Sequence, residues 1–430
     1  MISKFSKKTI DINLLNFKFI FIFLISIVTC YFYLNLNSLI EVSDYAFNEL
    51  FINYQAGFIR RGFLGEIYWY LDYFFSLDAR IFFSYLFYLL YLVQIYFYYK
   101  ILLKFKDFIL IHLLITLSPA LILFNIYDIN IFFIKDIFIK LSILLHAYII
   151  IDHFSFKRKY NEYILKLKFF IIPLLILIIL IHEYQVLFLS IHFLLTLSFA
   201  NNRKTIFRFI RIYSFLLIPT ILVLFFIGDE NQYEKLNLIL QKFDLIVHPQ
   251  LGGGFYKAIG GFYKWHFYYF DYLDFINLLA SLFLGIVIFY LLFQFFLEKK
   301  IFTLHTQYQK NYFIFFVPTI ACFLLALDHG RNISLISTHI IAFYVILKLN
   351  NDNLLKKKNE ILNNSLSKFI LFLSIFFYIF MWKLDQMAGF TGSSGQMIFQ
   401  SSLFAEFIKL IKYIYQFVDI NIINLPEIKL

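Results

Sequence analysis

Residues 169–200 read FFIIPLLILIILIHEYQVLFLSIHFLLTLSFA. Basic residues flank this apolar block on both sides, Lys166 and Lys168 before it and Arg203 and Lys204 after it. Lys and Arg collect on the cytoplasmic side of a membrane protein, so one crossing would leave a flank on the wrong side. The block therefore reads as two membrane-spanning helices joined by a turn at His182-Glu183-Tyr184-Gln185. Each arm is short against the roughly 20 residues a bilayer core takes. The stems of Lys166 and Lys168 extend the first arm by snorkelling.

The rest of the chain carries the same pattern. Of 430 residues, 61% are hydrophobic and 15% charged, and the mean hydropathy is +0.77. Soluble domains hold about a quarter charged residues, which excludes a soluble enzyme, a nucleic-acid binder and a disordered chain. The net charge of +11 sits in short loops: the N-terminal stretch to Lys18, 100–106, 153–168, 201–211, 298–311 and 348–368 hold 24 of the 38 Lys and Arg. Those pieces read as cytoplasmic. Between them lie apolar runs near 17–36, 81–99, 107–124, 137–152, 167–182, 185–200, 212–228, 275–297, 312–327, 332–347 and 368–382. The expectation is an all-α, polytopic integral membrane protein of about 11 transmembrane helices, between roughly 10 and 12. It forms a single transmembrane domain over 1–430 with a cytoplasmic N-terminus. Lys4, Lys7 and Lys8 precede the first run, which lacks a small-residue cleavage site and reads as a signal anchor. With 61 Phe and 32 Tyr and little Ala, the composition suggests AT-rich codons and a bacterial cytoplasmic (inner) membrane. Cys30 and Cys322 fall inside apolar runs, so no disulfide framework or Cys-based metal site is expected.

Parity then places 37–80, 125–136, 182–185, 229–274, 328–331 and the tail after 383 outside, with 312–347 as a second hairpin turning at 328–331. Twelve of the 14 Gly lie in these outward segments, Gly228 closes the 212–228 run beside one of them, and Gly285 sits inside a span. Irregular backbone, and with it function, is expected on the outer face. Within the first outer loop, 37–80, residues 63–77 read as an interfacial helix. Residues 401–418 read as a C-terminal one, with Glu406, Lys409, Lys412 and Gln416 on one face.

Four outward constellations carry candidate chemistry. Glu41 to Glu66 holds Arg60 and Arg61 between Gly57, Gly62 and Gly65. Arginine binds phosphate through two parallel bonds, and glycine lets backbone N–H groups approach an anion; headgroup anchoring is the plainer alternative. Asp44 fits a general base or metal ligand, or a helix cap. His182 and Glu183 at the hairpin turn fit acid–base roles, or merely a hydrated turn. Asp328, His329 and Arg331 fit a pyrophosphate or sugar, although Asp328 and Arg331 also suit an (i, i+3) clasp. In the second long outer loop, 229–274, two glycine clusters with His248, Lys257 and His266 suggest a segment closing on an anionic ligand, or a plain linker. His112, His146 and His192 sit singly inside spans and read as helix–helix hydrogen-bonders. His153 and His305, in basic loops, carry no role.

All four constellations fall opposite ATP and nucleotide sugars. No nucleotide cofactor is expected, and an activated substrate reaching that face is a polyprenyl phosphate or pyrophosphate sugar. In layout the chain resembles the GT-C superfamily of membrane glycosyltransferases. The resemblance rests on a long first outer loop with interfacial helical character, an acid soon after the first span, two hairpins and a second long outer loop. It implies that Asp44, or Glu41, activates the acceptor or binds a divalent cation. The acids here stand as Glu-x-x-Asp rather than as an adjacent pair. The chain also looks like the O-antigen and capsule polymerases, with Arg60, Arg61 and Arg331 as the matching outer arginines. The implied function is transfer or polymerisation of lipid-linked sugars into surface glycan, beside membrane lipid and other surface-glycan assembly proteins and without nucleic acid. A lipid-linked glycan flippase or another transporter is the alternative.

Overall fold

In a computed structural model of the chain, the described residues are 12–41, 45–103, 109–122, 124, 132–155, 160–197, 199–200, 202–226, 228–243, 245, 272–288, 291–292, 330–338, 341 and 365–380. These residues are mostly helical, with no strand among them. The elements are α1 (Ile12–Glu41), α2 (Phe63–Phe75), α3 (Ala79–Leu102), α4 (Ile109–Leu117), α5 (Asp136–Ser155), α6 (Tyr160–Ile181), α7 (Gln185–Leu197), α8 (Arg203–Phe225) and α9 (Glu230–Leu240). They continue with α10 (Tyr272–Leu282, prolonged by a π segment Phe283–Ile288), α11 (330–338) and α12 (Ser365–Phe380).

Three of these, α3, α6 and α8, are long and apolar enough to cross a membrane. Shorter apolar helices run over Lys18–Tyr33, Gln185–Leu197, Leu278–Ile288 and Phe369–Tyr378. Large apolar side chains stand exposed in rows, Ile81, Tyr85, Leu89, Val93 and Tyr96 along α3 and Phe215, Leu217, Ile218, Ile221 and Leu224 along α8. Apolar surface of this extent marks an interaction face, and its helical length suits association with a membrane. The spans expected at 312–327 and the helix at 401–418 lie outside the described residues.

The decisive block breaks where its polar residues fall. His182 leaves the helix at φ −152° and ψ 111°, with its N–H still bonded to the Ile178 carbonyl at 2.7 Å. Gln185 N–H then bonds the His182 carbonyl at 3.1 Å and opens α7. Within α6 the stretch before Pro173 is a π segment, Leu167–Ile171. Proline offers no N–H to the preceding turn, and a π turn accommodates that lost bond. Pro119 follows the end of α4, where the Ser118 carbonyl receives Leu121 N–H at 3.1 Å instead. Side-chain oxygens start other helices: Asp78 accepts from Ile81 N–H at 2.8 Å, and Asp229 with Gln232 forms a capping box on α9. The first part of the second long loop is thus a capped helix rather than a plain linker.

α5 is the central helix. Ile137, Leu144, Ala147 and Ile151 face one apolar core with α1, α3 and α4. Ile139, Ile143, Ile149 and Ile150 face a second core with α6, α7 and α8. A helix apolar on all sides belongs in the interior. The helix expected over 63–77 forms over Phe63–Phe75 as α2, and its approach to the loop before it is set by Gly65, where an added Cβ would lie 2.1 Å from the Ile52 carbonyl oxygen. Gly65→Ala is therefore expected to lower stability by about 1–3 kcal/mol or more, read as an earlier thermal melt in detergent.

Candidate functional site: a buried charge cluster at the helix ends

The C-terminal end of α6 and the N-terminal ends of α5, α7 and α11 meet at one end of the bundle, and the loop before α2 folds onto them. Each residue of the His182-Glu183-Tyr184 turn engages a different segment. His182 Nε2 lies 3.0 Å from Asp136 Oδ1 at the start of α5. Glu183 takes Arg61 with both carboxylate oxygens, Arg61 Nε donating to Oε2 at 2.6 Å and Nη2 to Oε1. Tyr184 carries the Arg331 guanidinium 5.7 Å above its ring. Arg331 itself grips Asp136 through two bonds of 2.8 Å, from Nε to Oδ2 and from Nη2 to Oδ1.

Two further carboxylate contacts tie the cluster together. Arg61 Nη1 donates to Glu49, and Arg60 Nη2 stands 3.8 Å from Glu183 Oε1. Lys135 reaches the same place but donates to backbone, to the Glu49 carbonyl at 2.9 Å and the Arg61 carbonyl at 3.3 Å. These bonds hold Arg61 at φ +68°, in the left-handed region. That conformation costs a non-glycine residue on the order of 1–3 kcal/mol and persists only where its surroundings over-determine it. Here a guanidinium clamped by two carboxylates and a carbonyl capped by an ammonium do so.

The electrostatics follow from burial and neighbours. Burial alone would push the Glu49 carboxyl up, but Arg61, Lys135 and His182 together hold it below the ordinary value. Burial likewise works against the Glu183 anion, and Arg61 and Arg60 more than offset it, leaving the carboxyl well below its usual range. Burial pulls the Lys135 ammonium down to about 8, with the Glu49 charge resisting and the Arg61 charge assisting. Among the described residues the cluster brings the four cations Arg60, Arg61, Lys135 and Arg331 against the three carboxylates Glu49, Asp136 and Glu183.

Of the residues expected from sequence, Arg60, Arg61, His182, Glu183 and Arg331 come together here. Arg331 pairs with Asp136, 195 residues away in the sequence. Glu183, read from the sequence as a candidate base, is engaged by Arg61 through both carboxylate oxygens. Asp44, Asp328, His329, His248, Lys257 and His266 lie outside the described residues, and Glu41 ends α1 with its side chain undescribed. Among the described residues no three His, Cys, Asp or Glu side chains gather as a metal site.

Sequence reasoning missed Glu49, Lys135 and Asp136. A signal was present: Lys135-Asp136 interrupts IFFIKDIFIK, and ionisable residues at the edge of an apolar run default to function. His146 and His192, expected singly, bond to each other at 3.0 Å across α5 and α7. His153, expected in a basic loop, is buried in the last turn of α5, edge-on to Phe199 and Tyr163.

Comparison with protein-family models, with curated proteins and with solved structures finds no match for this chain.

Proposed function

We propose that the chain is a polytopic membrane protein of about 11 spans whose charge cluster binds the phosphate or pyrophosphate of a polyprenyl-linked sugar. The proposed setting is the outer face of a bacterial inner membrane, in a GT-C-like arrangement. The proposed activity is glycosyl transfer or polymerisation in surface-glycan synthesis. One observation carries this reading: among the described residues, cations from three separate segments (Arg60–Arg61, Lys135 and Arg331) converge at the helix ends, held in place by Glu49, Asp136 and Glu183. A phosphate ligand supplies the anion such a cluster favours, and guanidiniums already oriented by Glu49, Asp136 and Glu183 stabilise a leaving phosphate without reorganising. The acceptor's proton goes to Asp44 in this reading, with Glu183 as a positioning residue.

Lys135 gives the reading a pH signature. Its ammonium is protonated below about 8 and neutral above. Binding of a short-chain polyprenyl phosphate to the protein in nanodiscs is expected to weaken as pH rises through that value. Lys135→Gln should bind more weakly at neutral pH and lose the step at alkaline pH. An unchanged step in the variant would remove Lys135 from the site.

The function is tested by deleting the gene and analysing lipid-linked and surface glycans by mass spectrometry. A ladder collapsing to one repeat unit supports polymerisation, and loss of a single sugar supports single transfer. Complete lipid-linked units trapped on the cytoplasmic side would replace both with a flippase. That second reading draws on the fully buried His146–His192 pair inside the helices, since ionisable groups there mark transport and ion pathways.

A further inference from the structure

α8 opens with a run of cations on its outer face. Asn202 caps it, its Oδ1 accepting from Thr205 N–H at 2.9 Å, so the helix begins at Arg203. Arg203, Phe207 and Arg211 follow at intervals of four and share a face, with Lys204 and Arg208 beside them. All five are exposed, while Phe209 and Ile212 on the other side are buried in the second core. The ion pairs among the described residues include none of Arg203, Lys204, Arg208 and Arg211. Arg208 meets only an aromatic face there, with its guanidinium 5.7 Å from the Tyr160 ring. The first turn holds no acid, so Arg203 and Lys204 stand at the helix end whose dipole repels cations. The fold itself therefore supplies no anion for this face among the described residues.

The length of α8 says where these cations lie. Beyond Arg211 the exposed side becomes apolar, through Phe215, Ile218, Ile221 and Phe225. A hydrocarbon core takes about 20 residues of helix, and about 20 residues counted back from Phe225 reach Ile206. Arg208 and Arg211 thus fall within the length that the core demands. A guanidinium at that depth is costly unless it meets an anion or rises to the headgroups. Helical side chains lean toward the N-terminus, which carries both toward Arg203 and the headgroup layer. Phe207 and Ile210 stand between the guanidiniums, 68% and 48% exposed. A free phosphate gains nothing from exposed apolar side chains beside the cations that bind it, whereas a lipid offers its phosphate to the cations and its acyl chains to Phe207 and Ile210.

We propose that this face of α8 is a binding site for anionic phospholipid. The headgroup phosphates pair with Arg203, Lys204, Arg208 and Arg211, the guanidiniums through two parallel bonds. The acyl chains lie along Phe207, Ile210 and the apolar stripe beyond. The site rests on the reading of α8 as a membrane-crossing helix, and it involves neither the charge cluster nor a glycan substrate.

The test places a tryptophan at the site. The full-length Phe207→Trp protein is reconstituted in phosphatidylcholine vesicles that carry the same minor fraction of either phosphatidylglycerol or phosphatidylcholine brominated at the headgroup end of the acyl chains. The parent protein in the same vesicles supplies the background of its own three Trp. Brominated phosphatidylglycerol is expected to quench the introduced indole more strongly than brominated phosphatidylcholine. Adding Arg208→Gln and Arg211→Gln should lower that preference by about 5-fold for each cation removed, the factor equivalent to ~1 kcal/mol per basic residue at an anionic surface. Quenching by brominated phosphatidylcholine should stay unchanged in that variant, which shows that the helix keeps its place in the bilayer. Arg208→Lys with Arg211→Lys keeps both charges and should keep most of the preference. Equal quenching by the two lipids in Phe207→Trp would overturn the site, and an undiminished preference in the glutamine variant would remove Arg208 and Arg211 from it. Quenching by neither lipid would overturn the membrane reading of α8, and the lipid site with it.

Discussion

Asp136→Ala lowers the stability of this protein by about 3–5 kcal/mol, the effect of removing one partner from a buried ion pair. The Asp136 carboxylate is fully buried and takes both bonds of the Arg331 fork as well as His182 Nε2. Without it, Arg331 loses the carboxylate that takes both bonds of its fork. Asp136→Asn is expected to fall nearly as far, because an amide offers one oxygen where the fork needs two. The double variant Asp136→Leu with Arg331→Met should recover most of the loss, since a buried ion pair exchanged for apolar groups of similar volume is often neutral. Thermal melts of the three variants in detergent check this. A loss below about 1 kcal/mol in Asp136→Ala would assign the pair the weight of a solvated surface bridge.

The second large effect belongs to Arg61. In the proposed glycosyl-transfer reading, Arg61→Lys should reduce activity by more than about 100-fold, roughly 3 kcal/mol of transition-state binding. One ammonium cannot bridge Glu49 and give Glu183 two parallel bonds, as the guanidinium does. Arg61→Gly separates the backbone from the charge. Glycine is at ease at φ +68° and relieves strain on the order of 1–3 kcal/mol. Yet it leaves Glu49 and Glu183 buried without their common counter-ion. The expected result is a net loss of stability for Arg61→Gly, by thermal melt. A glycine variant more stable than wild type would mean that the cluster tolerates its carboxylates uncompensated.

The turn of the decisive hairpin was legible because four polar residues interrupt a long apolar run, and the structure breaks the helix there. The arginines stood out because glycines surround them and because cations are costly at the end of an apolar run. Their partners did not, because pairing at a separation of 122 or 195 residues leaves no local trace. Glu49 in FNELFIN looks like any acid of a short turn, and Asp136 like the polar edge of a span. The left-handed backbone of Arg61 has no sequence mark either, since it comes from contacts made by Lys135 and two carboxylates. The same holds for His146 and His192. Each is a lone histidine in its own helix, and only the packing of α5 against α7 makes them a pair.

The pairing of Asp136 with Arg331 also sets an order of manufacture. A ribosome adding about 5–20 residues per second needs roughly 10–40 s to travel from residue 136 to residue 331. Through that interval the nascent chain contains the carboxylate, and from residue 182 onward also His182, but not the guanidinium that closes on both. Glu183 has no such wait, because Arg61 emerges before it. Biogenesis of this protein therefore has an early clamp and a late one. Chains halted before residue 331 should be the fraction that chaperones hold and proteases remove.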